Sequence, residues 1–255
     1  MSHDRDLAEA FDAQAERFER APVQTDPAAI ARLIQDADFS AGGCVLDAGC
    51  GPGLVSKGLL DGGFRVVGVD LSREMIERAR ARCSDHADKA QFFQMSVFDE
   101  RLDALAPFDG AISRYVLHHT IDPQAFAARQ AALVRLGGVV AACDHATDTD
   151  RTRAALHQAL EVARDKTHTR NLTSGGLADL IVSVGLVDIR LHEESFELDF
   201  DAWFDRGTPA DSKENVRQLL LSGPAIRGFK ARLQPDGKIR IAGIRAFVRG
   251  IKPTK

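Results

Sequence analysis

Cysteine is scarce in this 255-residue chain, and its four copies (Cys44, Cys50, Cys83 and Cys143) are too scattered for a disulfide framework or a metal-ligand set. Read as free thiols, they fit a reducing compartment. No basic segment followed by an apolar stretch opens the sequence, so no secretory signal is read there. Long hydrophobic runs are missing too: the longest near-apolar stretch, Leu136 to Cys143, falls far short of a membrane span. These absences predict a soluble cytoplasmic protein with no membrane partner. Internal repeats and low-complexity segments are also lacking. An excess of basic charge is absent: 33 basic and 37 acidic side chains leave a net −4, so nucleic acid is not the expected partner. The average hides an asymmetry. From Gly223 to Lys255 nine Lys/Arg stand against one acid, a local +8, while the first 222 residues carry −12. That segment could bind an anionic substrate or RNA, or form a solvated face beside an acidic body.

What is present reads as an ordinary globular composition, 44% apolar and 27% charged, in a length that suits one large domain or two small ones. Residues 4–20 form a helix candidate with Phe11, Ala15 and Phe18 on one face; Pro22 and Pro27 interrupt it, and a second helix runs from Pro27 to Ala37. Strands are expected at Cys44–Ala48, Arg65–Leu71, Gln91–Phe98, Phe108–Tyr115 and Gly138–Cys143, with helices between them ending near Leu60 and at Arg73–Cys83 and Gln124–Leu136. Further on, helices are read at Arg151–Arg164 and Gly176–Val184, a strand near Val187–Leu191, broken helix over Trp203–Leu221 and a last strand at Ile239–Val248. Strands alternating with helices imply an α/β fold. The expected architecture is a Rossmann-like, mostly parallel seven-stranded sheet with helices on both faces. The expected organisation is an N-terminal helical cap (1–40) and one domain (41–255). Helical insertions follow strands 5 and 6, at about 144–180 and 199–237, neither with an evident core of its own.

The segment Val45 to Gly53, V-L-D-A-G-C-G-P-G, places three glycines at alternate positions between a strand and a helix. Glycines there let backbone approach a ligand and leave N–H groups free at a helix start. Asp70 ends the second strand, where a carboxylate can accept from both hydroxyls of a ribose. The spacing is G-x-G-x-G, unlike the G-x-G-x-x-G of dinucleotide enzymes, and Asp47 lies two residues before the first glycine. An acid there repels pyrophosphate and favours a ligand with positive charge, such as the sulfonium and amine of S-adenosylmethionine. No G-x-x-x-x-G-K-[ST] occurs, which argues against an NTPase.

With these motifs the chain resembles the class I S-adenosylmethionine-dependent methyltransferases. Val45–Gly53 matches their first motif, and Val66 to Ser72 followed by Met75 matches their second. Ala111 to Pro123, with Leu133 to Gly138, resembles the ubiquinone/menaquinone-biosynthesis (type 11) subgroup. The resemblance implies that Asp47, Gly49, Cys50, Gly51 and Gly53 line the methionine end of the cofactor, that Asp70 holds the ribose, and that Leu71 and Met75 flank the adenine. Where the family has an acid contacting the adenine amine, this chain has Met95-Ser96-Val97-Phe98-Asp99. Ser96 takes the acid's place, and a Val97 backbone N–H or a displaced Asp99 could serve; Phe98 and Arg114 join the cofactor set.

Methyl transfer is an in-line displacement whose catalysis is mostly positioning, and an oxygen or nitrogen acceptor also wants a general base, for which histidine is suited. His118, His119 and His168 are the candidates, His168 first because Asp165 and Arg170 flank it. Tyr115, His145, Arg170 and Trp203 are read as substrate-binding, with Trp203, Phe204 and Phe229 roofing the pocket. His3, His86, His157 and His192 read as surface or helix residues. Asp144 lacks the following D-N pair of metal-dependent relatives, so no metal is expected. No N-P-P-Y type motif follows the fourth strand, which disfavours RNA and DNA. The expected acceptor is a small organic molecule, methylated on O, N or C, by a monomer or homodimer. A cofactor-binding protein of the same fold that transfers nothing remains an alternative.

Overall fold

In the computed structural model, which describes residues 2–20 and 22–255, strands and helices alternate from Cys44 onward as the sequence predicts. Five strands, β1 (Cys44–Ala48), β2 (Arg65–Asp70), β3 (Ala90–Gln94), β4 (Phe108–Arg114) and β5 (Val134–His145), pair in parallel in the order β3-β2-β1-β4-β5. β6 (Val187–Asp199), β7 (Phe229–Leu233) and β8 (Ile239–Ile251) complete the sheet, β8 running antiparallel to β5, β6 and β7.

The sheet has eight strands, not the expected seven. The reason is the length of β8. Its half from Arg245 to Ile251 pairs with β5, and its half from Ile239 to Gly243 overshoots that edge, leaving backbone donors and acceptors to satisfy. β7 takes that place, inside a segment expected to be helical. β6 likewise runs on past Leu191 to Asp199, because its acids lie opposite the arginines of β8: Glu194 faces Arg245 at 2.7 Å and Asp199 faces Arg240 at 3.6 Å. Part of the +8 of the C-terminal segment is thus answered across the β6–β8 ladder.

Alternating side chains send the sheet's two faces into separate cores. Val45, Val66 and Ile112 meet Leu33 of α3 (Pro27–Ala37), Leu59 of α4 (Leu54–Asp61) and Ile76 of α5 (Arg73–Arg82). Leu46, Val67 and Ala111 meet Phe126 of α6 (Pro123–Leu133) and Leu177 and Ile181 of α8 (Ser174–Ser183). α6 is shorter than predicted and passes straight into β5, since Val134 already pairs with Phe108 before a bulge carries the register on to Val139. β3 stops at Gln94, and Met95–Phe98 turns into the site instead of continuing the strand.

Neither of the two insertions forms a core of its own; they share one with β8. Leu160 of α7 (Arg151–Arg164), Phe200, Trp203 and Phe204 of α9 (Phe200–Asp205) and Val216 and Leu220 of α10 (Lys213–Ser222) pack with Phe229, Ile239 and Ile241. Neither insertion buries these groups alone. α1 (Ser2–Arg20) and α2 (Pro22–Thr25) lie over the carboxyl ends of the strands.

Candidate active site

Strand order reverses between β1 and β4, and a cavity of about 290 Å³ opens at the carboxyl ends of those strands. Open α/β sheets bind ligands at this switch point, and the volume is near the lower bound for small-molecule sites.

The turn after β1 shapes one wall. Gly49, Gly51 and Gly53 have φ of +76°, +51° and +78°, which strains any residue with a Cβ. Gly51 borders open space, since a Cβ built there would meet nothing within 4 Å. Gly53 departs from the expectation. A Cβ on it would lie 2.9 Å from the Ala79 Cα, and it starts α4 without lining the cavity. Its work is the close packing of α4 on α5.

Of the four acids that line this cavity, Asp4, Asp47, Asp70 and Asp122, two stand at the glycine turn: Asp47 and Asp70. Asp70 is oriented by the backbone, Oδ2 accepting from the Gly51 N–H and Oδ1 from the Ser72 N–H, both at 2.9 Å. Each oxygen keeps a further lone pair for a ligand hydroxyl. Asp47 is 1% exposed and accepts from the Ser56 hydroxyl at 2.6 Å. Burial pushes its carboxyl up to about 7, against the Ser56 hydrogen bond and the Arg114 charge. Burial also raises Asp70, to about 6. Both acids are therefore short of positive charge, and a cationic ligand would relieve Asp47.

Leu71, Met75, Ser96, Val97, Phe98 and Cys50 line the same cavity. Ser96 accepts from the Phe98 N–H at 3.3 Å, whereas the Val97 N–H has no partner among the described residues. Asp99 is excluded from the displaced role considered for it. Arg101 grips both its oxygens, at 2.9 and 2.7 Å, and it does not line the cavity. Arg114 reaches the carbonyls of Val23 and Gln24 at 3.0 and 2.9 Å and lies over the Tyr115 ring. It ties the end of β4 to α2 while bordering the cavity. α1 supplies the roof through Leu7, Phe11 and Phe18. It is latched where Asp12 Oδ1 accepts from the Ser72 hydroxyl at 2.5 Å and the Glu74 N–H at 3.1 Å. His3 Nε2 lies 2.8 Å from the His119 carbonyl.

The candidate histidines do converge, but mostly behind the cavity. His118, His119, His145 and His168 surround a second chamber of about 30 Å³, together with Glu161, Arg164, Asp165, Asn171, Trp203 and Arg206. Of the three proposed bases only His119 lines both spaces. His118 Nδ1 lies 2.5 Å from Asp144 Oδ1, and that carboxylate holds its imidazole above the usual value in spite of burial. Burial holds His119 well below its ordinary value and brings His145 and His168 down to about 3. His168 Nε2 sits 3.3 Å from Gln158 Oε1. Tyr115 stands between the two spaces at φ +60°, its ring stacked on His145 at 4.5 Å and its hydroxyl accepting from Arg245 at 3.2 Å. A left-handed tyrosine is a strained conformation that its surroundings must enforce.

Two substrate-binding expectations are corrected. Arg170 is exposed and borders neither space; its backbone N–H is 3.4 Å from the His118 carbonyl, so of Arg170 itself only the main chain faces inward. Trp203, 2% exposed, packs in the insertion core and touches the small chamber only, and Phe204 and Phe229 border neither space. The roof is α1, not the insertions. His157, read as a surface or helix residue, lies in the helix α7 and is 1% exposed, stacked on Phe229 at 4.4 Å. Arg206, Asn171, Gln24 and Asp12 were not anticipated, and no local spacing marks them.

A methyltransferase-domain family model matches residues 15–191. A ubiquinone biosynthesis O-methyltransferase from Vibrio parahaemolyticus is 30% identical over 117 residues, 46% of this chain and 50% of that protein. The chain thus spans about half the length of the first curated relatives it matches. The uncharacterised methyltransferase YcgJ of Bacillus subtilis is 24% identical over 95% of this chain and 97% of its own. The YcgJ crystal structure superposes with a TM-score of 0.78 at 22% identity, over 89% of this chain and 99% of that one. Phosphoethanolamine N-methyltransferase 2 of Haemonchus contortus, solved with phosphomonomethylethanolamine and S-adenosylhomocysteine, gives 0.61 at 15% identity, covering 89% and 53%. At these identities the superpositions establish the fold alone. Glycine turn, paired acids and matched domain agree: the chain belongs to the methyltransferase-domain family.

Proposed function

We propose that the chain transfers a methyl group from S-adenosylmethionine to a small organic acceptor. The observation that carries this reading is the pair of acids in one cavity: Asp47, buried and lacking a cationic hydrogen-bond partner, and Asp70, presented by two backbone N–H groups across the Gly51 turn. The first suits the cationic methionine end of the cofactor and the second its ribose diol. Leu71 and Met75 offer apolar surface for adenine, and Ser96 and Val97 a polar edge. Bound there, the cofactor supplies an electrophilic methyl on a sulfonium and leaves as a neutral thioether.

The chain's own work is positioning. α1 closes the cavity from above and excludes water, and Tyr115 and Arg114 wall the far end. His119, kept neutral by burial, can accept a hydrogen bond from an acceptor hydroxyl or amine, which makes it a better candidate than His168 for the group beside the acceptor. A small acceptor is favoured over nucleic acid because four arginines of the basic C-terminal segment, Arg227, Arg240, Arg245 and Arg249, are ion-paired with acids of the same chain. The relatives' names point the same way, to ubiquinone biosynthesis and to a phosphorylated amine. One chain supplies every wall, so a monomer or a homodimer would serve. Four free thiols support a cytoplasmic location. No helix among the described residues is long and apolar enough to cross a membrane.

Calorimetry tests the site. S-adenosylmethionine and S-adenosylhomocysteine should bind and NAD should not, and Asp70→Ala should weaken cofactor binding by about 1–3 kcal/mol, the worth of a hydrogen-bonded charged acceptor. Unchanged affinity in that variant would sink the site. Labelled-methyl transfer into pooled phenols, quinols, amines and acids tests the reaction; tight binding with no labelled product in any pool would leave a binding protein only.

A further inference from the structure

Arg206 is a buried cation that no acid among the described residues reaches within ion-pair distance, although the Glu161 carboxylate in the same chamber acts on its charge. Arg206 is 8% exposed at the end of α9, where its backbone N–H donates to the Phe204 carbonyl, and it borders the small chamber, yet its guanidinium makes no hydrogen bond or ion pair among the described residues. The acids around that chamber are occupied elsewhere. Glu161 lies 3.4 Å from Arg164 and 3.6 Å from His157. Asp165 accepts from the Thr167 N–H and hydroxyl, at 3.0 and 2.7 Å, and is 3.8 Å from Arg164. Asp144 is held by His118. A second unmet group borders the same space: both amide atoms of Asn171 are buried without a partner. Burying a guanidinium without an ion-paired acid beside an unpaired amide is costly, and a bound anion with acceptor oxygens would offset that cost.

We infer that this chamber is the subsite for the acceptor's carboxylate, with Arg206 as its anchor and Asn171 as a further donor, so that the methyl acceptor is a small organic acid. The inference rests on the methyltransferase reading and deepens it. Size selects the group. About 30 Å³ holds roughly two waters, which suits a carboxylate head and leaves the body of the molecule outside. Position selects the orientation, since Phe18, Gln24, Tyr115 and His119 border both spaces and the body would lie beneath α1 beside the cofactor. Arginine matches a planar carboxylate bidentately. His145 and His168, brought down to about 3 by burial, stay uncharged and leave the guanidinium as the chamber's free cation.

The test titrates the full chain with sodium acetate and sodium benzoate, and with acetamide and benzamide, at constant ionic strength, with and without S-adenosylhomocysteine. Both acids should bind and raise the melting temperature, the amides should not, and Arg206→Gln should weaken acid binding about tenfold or more while S-adenosylhomocysteine affinity stays unchanged. Arg206→Gln without ligand should melt at the same temperature or higher, because an uncompensated buried charge is removed; a structural arginine would give the opposite. Amides binding as well as acids, acids binding Arg206→Gln undiminished, or S-adenosylhomocysteine binding with no acid binding would each overturn the carboxylate subsite. Acid binding at Arg206 without any S-adenosylhomocysteine binding would instead remove the methyltransferase reading and leave an anion site.

Discussion

Asp47 shows how far a single residue's chemistry depends on where the chain puts it. In the sequence it is an acid two positions before a glycine; in the fold it is 1% exposed and raised to about 7 by burial. The sign of the consequence follows. Above pH 7 the carboxylate is ionised and can pair with the cofactor's amine, and below pH 7 it is neutral and the pairing is lost. Cofactor affinity should therefore fall about tenfold between pH 8 and pH 6, one pKa unit corresponding to one decade. Asp47→Asn should bind weakly throughout, with a nearly flat profile until Asp70 titrates near 6. Calorimetric titration across that range checks it, and an equally steep profile in Asp47→Asn would assign the proton elsewhere. Asp47 and Asp70 were legible because their roles are set by spacing to a local turn. Arg206 was not, because what distinguishes it is the partner it lacks, and partners come from distant segments.

At the scale of elements, α1 is a part of the site that comes from outside the glycine-turn motifs. Its apolar face was visible in the spacing of Phe11, Ala15 and Phe18, but not its target, which is the cavity and the start of α5. Asp12 makes the latch, while Gln14 and Arg17 hold the other end, to Thr208 and to the Asp205 carbonyl. Asp12→Ala removes two hydrogen bonds at a partly exposed site, so S-adenosylhomocysteine binding should weaken by about 1 kcal/mol. Trypsin should also cut faster at Arg5. In the parent protein, bound S-adenosylhomocysteine should slow that cleavage. Cleavage rates unaffected by ligand and by the substitution would mean that α1 does not close over the site. β6, β7 and β8 teach a related lesson: strand existence was partly legible, but strand length depended on a partner's edge and on charges facing across the ladder.

At the scale of the molecule, Arg245 joins three regions. It is 2.7 Å from Glu194 in β6, 3.8 Å from Asp26 at the start of α3, and 3.2 Å from the Tyr115 hydroxyl at the end of β4. Arg245 is itself buried, and its acidic partners are partly exposed, so solvent screens part of the interaction. Arg245→Met should lower unfolding free energy by about 1–2 kcal/mol in urea, less than a fully buried pair would cost. It should also loosen Tyr115, raising KM for an acceptor more than it lowers kcat. A variant as stable as the parent would show that the network holds position without adding stability.

The alternation of strand and helix, the glycine turn and the two acids that flank it were determined by the sequence itself, because hydrophobic period and turn chemistry act over a few residues. Only the tertiary structure decided which histidines meet, where an eighth strand joins the sheet, what roofs the cavity and which cation is left unpaired. Those outcomes rest on contacts such as His3 with His119, 116 positions apart, and Tyr115 with Arg245, 130 apart. No local pattern carries them, since each depends on how the buried charges of the whole chain find, or fail to find, their partners.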